Sequence, residues 1–513
     1  MTDNHLFALI RGAVKSPSKV FVETDKGDEV TYGDVLDRSA QIARMLTGLG
    51  VLPGDRVAVQ VEKSVEALML YLGTIRAGAV FLPLNTGYTA AEVGYFLENA
   101  EPTLFVCDPA KRRDLAPLAQ EIGVPHLETL DAAGGGSLPE RWAVEETHFT
   151  DVPRAPDDLA AILYTSGTTG RSKGAMLSHD NLASNALALR EAWRFTEDDV
   201  LIHALPIFHT HGLFVATNIT LIAGGSMIFL PKFDPDRILA LMPRATSLMG
   251  VPTFYTRLLA HPGLTREAAA TMRLFVSGSA PLLAETHTGF RERTGHAILE
   301  RYGMTETNMN TSNPYDGERR PGTVGFPLPG ISVRIAHPEK GAEVQRGEIG
   351  VIEVNGPNVF KGYWRMPEKT AAEFRSDGYF ISGDLAMIDA DGYVTIVGRA
   401  KDLIISGGFN VYPKEIESEI NALAGVAESA VIGLPHADLG EGVTAVVVAQ
   451  PNGTVTGDQI IAQLNGKLAR FKQPKQVLFV DALPVNAMGK VQKNVLRDRF
   501  QNIYVQNAGI ASG

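Results

Sequence analysis

Residues 56–84 read RVAVQVEKSVEALMLYLGTIRAGAVFLPL. Arg56–Val61 alternates apolar and polar positions as a strand does. Ser64 can cap a helix that runs to Arg76, with Glu62 and Glu66 near its positive N-terminal end. Ala79–Leu84 is a second apolar run, closed by Pro83 and Asn85. Strand, helix and strand in this order make a β-α-β unit, whose strands lie parallel. Strand-like runs of the same kind recur at Ala161–Thr165, Leu201–Leu205, Ser226–Leu230 and Arg273–Ser277. The chain is therefore expected to be an α/β protein built on parallel sheets.

The composition agrees with that reading. The chain has 513 residues, 45% hydrophobic and 20% charged, so it can bury a large core and is not a disordered chain. A single cysteine, Cys107, excludes a disulfide scaffold and a CxxC metal cluster. A net charge of −11 argues against non-specific nucleic-acid binding. The N-terminus Met1-Thr-Asp-Asn-His has no basic segment before an apolar run, and no signal peptide is expected. Ala204–Pro231 lacks Asp, Glu, Lys and Arg but holds Pro206, His209, His211, Asn218 and Gly224-Gly225. A buried helix followed by a buried strand fits it better than a membrane span, and a cytoplasmic protein is expected.

Toward the C-terminus the texture changes twice. From about residue 321, Pro and Gly become frequent and short strands appear, such as Val333–Ile335 and Ile349–Asn355. An Asp391-Gly392 hairpin signal lies between Leu385–Ile388 and Tyr393–Val397. Residues 321–398 read as a small β subdomain that completes a large domain, 1–398. Residues 399–513 read as a small α+β domain. Pro413 suits the first turn of a helix with an Ile416, Ile420 and Leu423 stripe. Gly457–Arg470 reads as a second helix, and Val443–Ala449 and Val477–Val480 as strands. This last part carries a net charge of +1, against −12 for the remainder.

The chemistry concentrates in Tyr164–Gly174, YTSGTTGRSKG. It follows a strand and precedes a polar stretch able to start a helix. Six successive residues from Thr165 are Ser, Thr or Gly. Small residues let backbone N–H groups approach an anion, hydroxyls add donors and Lys173 adds charge, so the loop suits a polyphosphate. It is not a Walker A loop, which needs Gly-x4-Gly-Lys-Ser/Thr.

This loop resembles the signature loop of the adenylate-forming enzymes, the superfamily of acyl-CoA synthetases, luciferases and peptide-synthetase adenylation domains. Further segments match in family order: Tyr302-Gly-Met-Thr-Glu306 resembles YGxTE, Gly378–Asp384 the GD motif, Gly398-Arg-Ala-Lys-Asp402 the GRxKD hinge, and Gly489-Lys490 the C-terminal catalytic lysine loop. The resemblance implies a two-step reaction with ATP, Mg²⁺ and coenzyme A. A carboxylate attacks the α-phosphorus of ATP, and the coenzyme A thiol then attacks the acyl-adenylate. It implies ATP contacts from Thr165, Ser166, Gly167, Thr168, Thr169 and Lys173, and from Gly278, Ser279, Ala280, Pro281 and Gly303. Thr305 is implied at the α-phosphate, and Glu306 with Thr165 at Mg²⁺. Tyr302 is implied on adenine, Asp384 and Arg399 on the ribose. Lys490 is implied to neutralise charge in the first step, and the small domain to rotate about Lys401 so that Gly407 and Gly408 flank pantetheine in the second. Where the family often has Pro-Arg-Thr upstream of Gly-Lys, this chain has Pro484-Val-Asn.

The substrate reading turns on Arg301, directly before Tyr302. An arginine there would spoil a fatty or aromatic site but can pair bidentately with a second carboxylate, for roughly 1.5–3 kcal/mol. His209 and Ser279 can add donors. The pattern, with Leu205–Phe214 (LPIFHTHGLF) and Gly250–Leu259 (GVPTFYTRLL), is similar to malonyl-CoA synthetases. It implies malonate, with methylmalonate also accepted because one methyl discriminates by only roughly 1–3 kcal/mol. The competing reading pairs Arg301 with Glu300 or Glu306, facing away from substrate. The same motifs would also serve a ligase for another short acid, an enzyme that loads a carrier protein, or a non-catalytic nucleotide-binding relative. His203, His209 and His211 do not read as a zinc site. Lys467, Arg470, Lys472 and Lys475 read as a solvated face rather than a coenzyme A phosphate site. A lysine acetyltransferase acting on Lys490 would remove the charge the first step needs.

Overall fold

The computed structural model describes residues 3–165, 172–406, 409–436, 438–451, 453–465, 467–486 and 489–504. The β-α-β unit forms as the sequence indicates. Arg56–Gln60 and Val80–Pro83 pair in parallel, and the Ser64 side chain accepts from the Ala67 N–H at the start of helix Val65–Arg76. Nearly every residue of that helix is buried, as its all-round apolar sequence requires. The unit is the centre of a six-stranded sheet ordered His126–Thr129, Leu104–Cys107, Arg56–Gln60, Val80–Pro83, Leu159–Thr165, Lys173–Ser178. Only the last pairing is antiparallel.

A nine-stranded sheet runs in the order Phe326–Pro327, Asn308–Ser312, Leu299–Met304, Leu274–Ser277, Ser247–Gly250, Val200–His203, Ser226–Phe229, Val20–Thr24, Glu29–Thr31. Its centre is parallel and its two margins antiparallel. One continuous apolar core joins the two sheets: Val57 and Val59 of the first and Ile202 and Leu248 of the second belong to it, with Leu68, Leu72 and Ile75 of the helix. Strands Ser332–Ala336, Gly350–Asn355, Phe380–Ile388 and Val394–Arg399 form a four-stranded antiparallel sheet. The chain leaves it at Arg399 and, after a single 3₁₀ turn at Ala400–Asp402, enters a separate sheet at Ile404–Ser406. That sheet also contains Phe409–Val411, Val426–His436, Gly440–Ala449 and Gln476–Phe479, with helices Pro413–Asn421, Gly457–Leu464 and Lys493–Phe500. The architecture is thus mixed α/β with parallel sheets in a large N-terminal part and a small α+β C-terminal part.

Several local expectations need correction. The stretch after the Ser/Thr/Gly loop does not open a helix; Lys173–Ser178 is a strand, antiparallel to Leu159–Thr165 with Lys173 opposite Thr165. The helix starts at His179, where Ser178 and Asn181 form a capping box. The helix read as Gly457–Arg470 ends at Leu464, where Asn465 pairs instead with Leu468. The uncharged run Ala204–Pro231 becomes a buried π-helix, His211–Thr217, a helix Asn218–Ala223 and the strand Ser226–Phe229. Among the described residues, no helix is long and apolar enough to cross a membrane.

Candidate active site

The site lies where the C-terminal ends of the parallel strands meet the small C-terminal part, the usual place for ligands of open α/β sheets. Strand Leu299–Met304 delivers Arg301 and Tyr302. The turn that follows holds Thr305 and Glu306 before the chain returns as Asn308–Ser312. Gly303, at the end of the strand, must be glycine, because a Cβ there would collide with the Asn308 carbonyl oxygen.

Ser166, Gly167, Thr168 and Thr169 of the phosphate loop lie outside the described residues, but both flanks are placed. Thr165 Oγ1 is 3.5 Å from Glu306 Oε1. Lys173 Nζ is 3.2 Å from Glu373 Oε1 and lies over the Tyr363 ring. The Tyr363 hydroxyl stands between two carboxylates, 3.0 Å from Glu306 Oε1 and 2.6 Å from Glu373 Oε2. Glu306 is buried, and that desolvation raises its pKa. Tyr363 and Glu373 therefore join the candidate site, and the sequence does not announce them. Nothing in their local sequence marks them; only the fold brings them to Glu306.

Tyr302 donates its hydroxyl to Asp384 Oδ2 at 2.6 Å, and Arg399 Nε lies 2.8 Å from Asp384 Oδ1. Asp384 and Arg399 face each other across the last two strands of the four-stranded sheet. The Lys490 segment docks against the N-terminal part: Gly489 lies against Thr253, and the Lys490 N–H donates to Asn486 Oδ1 at 2.9 Å. The Lys490 side chain retains an exposed surface, yet it projects into the cleft among protein groups. Desolvation, and then the Arg399 charge, bring its pKa down to about 8. Lys401 is lowered for the same two reasons. Gly407 and Gly408 lie outside the described residues.

Arg301 occupies a different corner. Its side chain is 3% exposed, and its Nε and Nη2 meet no partner. Among the described residues no carboxylate pairs with it. Glu300, its neighbour on the strand, accepts from the Gly322 N–H at 3.2 Å, and burial pushes it up to about 8. Glu306 is engaged by Tyr363. Burial pushes the Arg301 guanidinium down to about 9. It lies flat against Gly278, where any Cβ would collide with it. Beside it stand His209, whose Nδ1 is buried and unpartnered, and His211, whose Nε2 is likewise unpartnered. His211 Nδ1 is 3.4 Å from Ser279 Oγ, and Ser279 adopts the left-handed conformation, φ 71°. Burial first, then Arg301 and Lys490, bring His209 down to about 4, so it is neutral. His211 joins the site, although its sequence spacing suggests nothing beyond a rejected metal centre. Past Ser279, Ala280 is half-buried and Pro281 exposed.

Four buried polar atoms without partners lie on Arg301, His209 and His211, and the guanidinium among them is a donor fork without an acceptor. The basic cluster of the C-terminal part is partly paired within its own fold: Lys472 with Glu415 at 2.6 Å and Lys467 with Glu419 at 3.5 Å.

A Lys490 segment docked against the N-terminal part, beside the Tyr302, Asp384 and Arg399 cluster, fits the adenylate-forming class of enzyme. Residues 9–364 match the AMP-binding enzyme family and residues 415–490 its C-terminal domain, so the chain belongs to the AMP-binding enzymes and is an AMP-forming acyl-CoA ligase. Within that family it is 37% identical to a feruloyl-CoA synthase of Amycolatopsis sp, over 96% of this chain and 98% of that protein. It is 35% identical to the mitochondrial malonate–CoA ligase ACSF3 of Mus musculus, over 92% of this chain and 87% of that one. The ATP-bound crystal structure of MatB from Rhodopseudomonas palustris is 63% identical, with a TM-score of 0.96 over 98% of this chain and all of MatB. Apo MatB, at the same identity, superposes with a TM-score of 0.85. The chain thus superposes better on the ATP-bound structure than on the apo one.

Proposed function

We propose that this enzyme joins malonate, and also methylmalonate, to coenzyme A through an acyl-adenylate, releasing AMP and pyrophosphate. The observation that carries the substrate assignment is Arg301, a buried guanidinium with two unpartnered nitrogens beside the unpartnered His209 and His211. A malonate carboxylate would satisfy the guanidinium in a fork and leave the other carboxylate toward the nucleotide. Malonate–CoA ligases among the relatives support the same reading, while a feruloyl-CoA synthase of similar identity means that the pocket, not overall likeness, must decide. An aromatic acid would bring no acceptor for the two unpartnered guanidinium N–H groups.

In the first step a carboxylate oxygen bonds to the α-phosphorus of ATP, and the bond to the pyrophosphate oxygen breaks. Lys490 faces this centre as a cation and offsets the charge of the approaching carboxylate and the phosphate. Asp384 accepts from ribose hydroxyls, held by Arg399 and by the Tyr302 hydroxyl, and the Tyr302 ring supports adenine. Thr305 reaches the α-phosphate, while Thr165, Lys173 and the Ser166–Thr169 hydroxyls and N–H groups cradle the other phosphates, with Gly278, Ser279, Ala280, Pro281 and Gly303 lining the nucleotide side. Glu306 and Thr165 fit a Mg²⁺ ion: a buried carboxylate with a raised pKa gains from a cation, and one carboxylate plus phosphate oxygens suffices. When bound, the ion neutralises phosphate charge. In the second step the coenzyme A sulfur bonds to the acyl carbon, the bond to AMP breaks, and the thiol proton leaves to solvent.

The second step is assigned to a rotation of residues 399–513 against 1–398 (321–398 being the β subdomain) about Lys401. This replaces Lys490 by Gly407 and Gly408 beside pantetheine. The lone 3₁₀ turn at Ala400–Asp402 between two sheets supports such a hinge. Acetylation of Lys490 by an acetyltransferase would remove its charge and switch off the first step. The test is AMP formation from malonate, ATP and Mg²⁺ with and without coenzyme A, with the thioester followed by mass. Malonyl-CoA formed with coenzyme A-dependent AMP release supports the reading. AMP release that ignores coenzyme A, with no thioester, contradicts it and points to a carrier-protein acceptor.

A further inference from the structure

Behind Arg301 a chain of polar contacts runs from the half-buried Lys63 to the buried His203, and the two-step chemistry does not use it. Lys63 leaves the segment between strand Arg56–Gln60 and helix Val65–Arg76 and crosses to the other sheet. There Nζ donates to His203 Nδ1 at 2.9 Å and to the His203 carbonyl oxygen at 2.8 Å, and it lies over the Phe229 ring. His203, 1% exposed, ends strand Val200–His203. Its Nε2 is 2.9 Å from the Gly212 carbonyl oxygen. A carbonyl only accepts, so Nε2 carries the proton and Nδ1 is free to accept from Lys63. The same Gly212 oxygen accepts from Thr217 Oγ1 at 3.0 Å.

Gly212 lies in the first turn of the π-helix His211–Thr217, directly after His211 and three residues after His209. A Cβ on Gly212 would collide with the Pro206 carbonyl oxygen, so the segment from Pro206 to Gly212 doubles back tightly on itself. π-Helical turns are rare and gather at functional sites. Among the described residues no carboxylate pairs with Lys63. A half-buried amine held only by neutral acceptors gains little as packing alone, whereas it fixes a ring tautomer and a carbonyl direction well.

We propose that Lys63 and His203 are positioning residues for acid selection: the contacts Lys63 to His203 to Gly212 seat the first turn of the π-helix and so hold His209 and His211 against Arg301. Neither residue touches substrate. The inference rests on the reading of Arg301 as the clamp for a second carboxylate. It ties the six-stranded sheet to the pocket at the end of the nine-stranded one, so acid selection depends on a residue from the opposite sheet.

The test compares Lys63→Met and His203→Gln with the parent enzyme for malonate, propionate and ATP, with thermal unfolding and the imidazole ¹⁵N spectrum. The expected result is a malonate KM raised about tenfold, the scale of one buried hydrogen bond lost. The KM for ATP and the kcat/KM for propionate stay within about twofold, and the ¹⁵N shifts of His203 change in Lys63→Met. A malonate KM within twofold of the parent, or an equal fall for malonate and propionate, overturns the proposal. If neither variant folds, a parent spectrum showing His203 protonated at Nδ1 overturns it, and the Nε2-protonated form upholds the contact chain. Arg301→Met run alongside separates the two claims: an unchanged malonate-to-propionate ratio there defeats the pocket reading itself, while a changed ratio with an inert Lys63→Met defeats only the positioning role.

Discussion

Arg301→Met removes a guanidinium and keeps a side chain of similar reach, so it separates charge from packing. Two nitrogens of Arg301, Nε and Nη2, stand unpartnered toward the pocket. Charge-assisted hydrogen bonds to a carboxylate are worth roughly 1.5–3 kcal/mol, so malonate kcat/KM is expected to fall about 10- to 100-fold. Propionate, which has no second carboxylate, loses nothing of this kind. Stability should move the other way. Burial holds Arg301 down to about 9, well below the ordinary guanidinium value, so the folded state disfavours its charge. The unfolded chain binds more protons between those values, and stability rises with pH only across that window. At pH 7 the penalty is present in full. Replacing a buried unpaired cation by an apolar side chain is therefore expected to stabilise the ligand-free protein, by about 1–4 kcal/mol as for other buried charges. The assay is pyrophosphate release at saturating ATP and coenzyme A, with malonate and propionate in parallel, and a thermal melt at pH 7. An equal loss for both acids together with a lower Tm would refute the reasoning, because that is the signature of lost packing.

Three further outcomes follow from the same geometry. Gly278→Ala places a methyl group against the Arg301 guanidinium, a movable side-chain end, so malonate kcat/KM should fall by about tenfold while the Tm stays within a degree or two; unchanged malonate kinetics would place the guanidinium elsewhere in solution. Lys490 has its pKa lowered to about 8, so its cation is present below that pH and lost above it. The kcat/KM for ATP, which reports the free enzyme, should decline as pH rises through about 8, and a flat profile to about pH 9.5 would contradict the assignment. Glu306→Gln keeps the shape but removes the charge on which the ion depends, so the Mg²⁺ concentration for half-maximal pyrophosphate exchange should rise by tenfold or more (about 1.4 kcal/mol); an unaltered Mg²⁺ titration would remove Glu306 from the ion site.

Much of the fold is legible in the sequence because some residues act locally. The cap at Ser64 and the apolar alternation of Arg56–Val61 specify their own unit, and the unit fixes a parallel sheet. Lys173–Ser178 misleads because its strand character comes from a partner, Leu159–Thr165, across a polar loop; locally the segment looks like the approach to a helix. Arg301 can be picked out beside Tyr302, but its freedom from Glu300 cannot. That follows from strand geometry, which sends adjacent side chains to opposite faces. His211 escapes notice because three histidines at short spacing show only their number. Its role lies in an orphaned Nε2 and a contact with Ser279, both products of the π-helical turn. Tyr363 and Glu373 are unreadable for the same reason: a hydroxyl between two carboxylates exists only once the four-stranded sheet and its neighbours close over Glu306.

The central claim is that an unpaired buried arginine selects a dicarboxylate. It is tested most directly by comparing kcat/KM for malonate, methylmalonate, propionate and ferulate in one coenzyme A-dependent assay. Malonate and methylmalonate should exceed both monocarboxylates by about tenfold or more, the value of a charge-assisted pair. A preference for ferulate or propionate would leave the fold and the adenylate chemistry in place and would contradict the role given to Arg301.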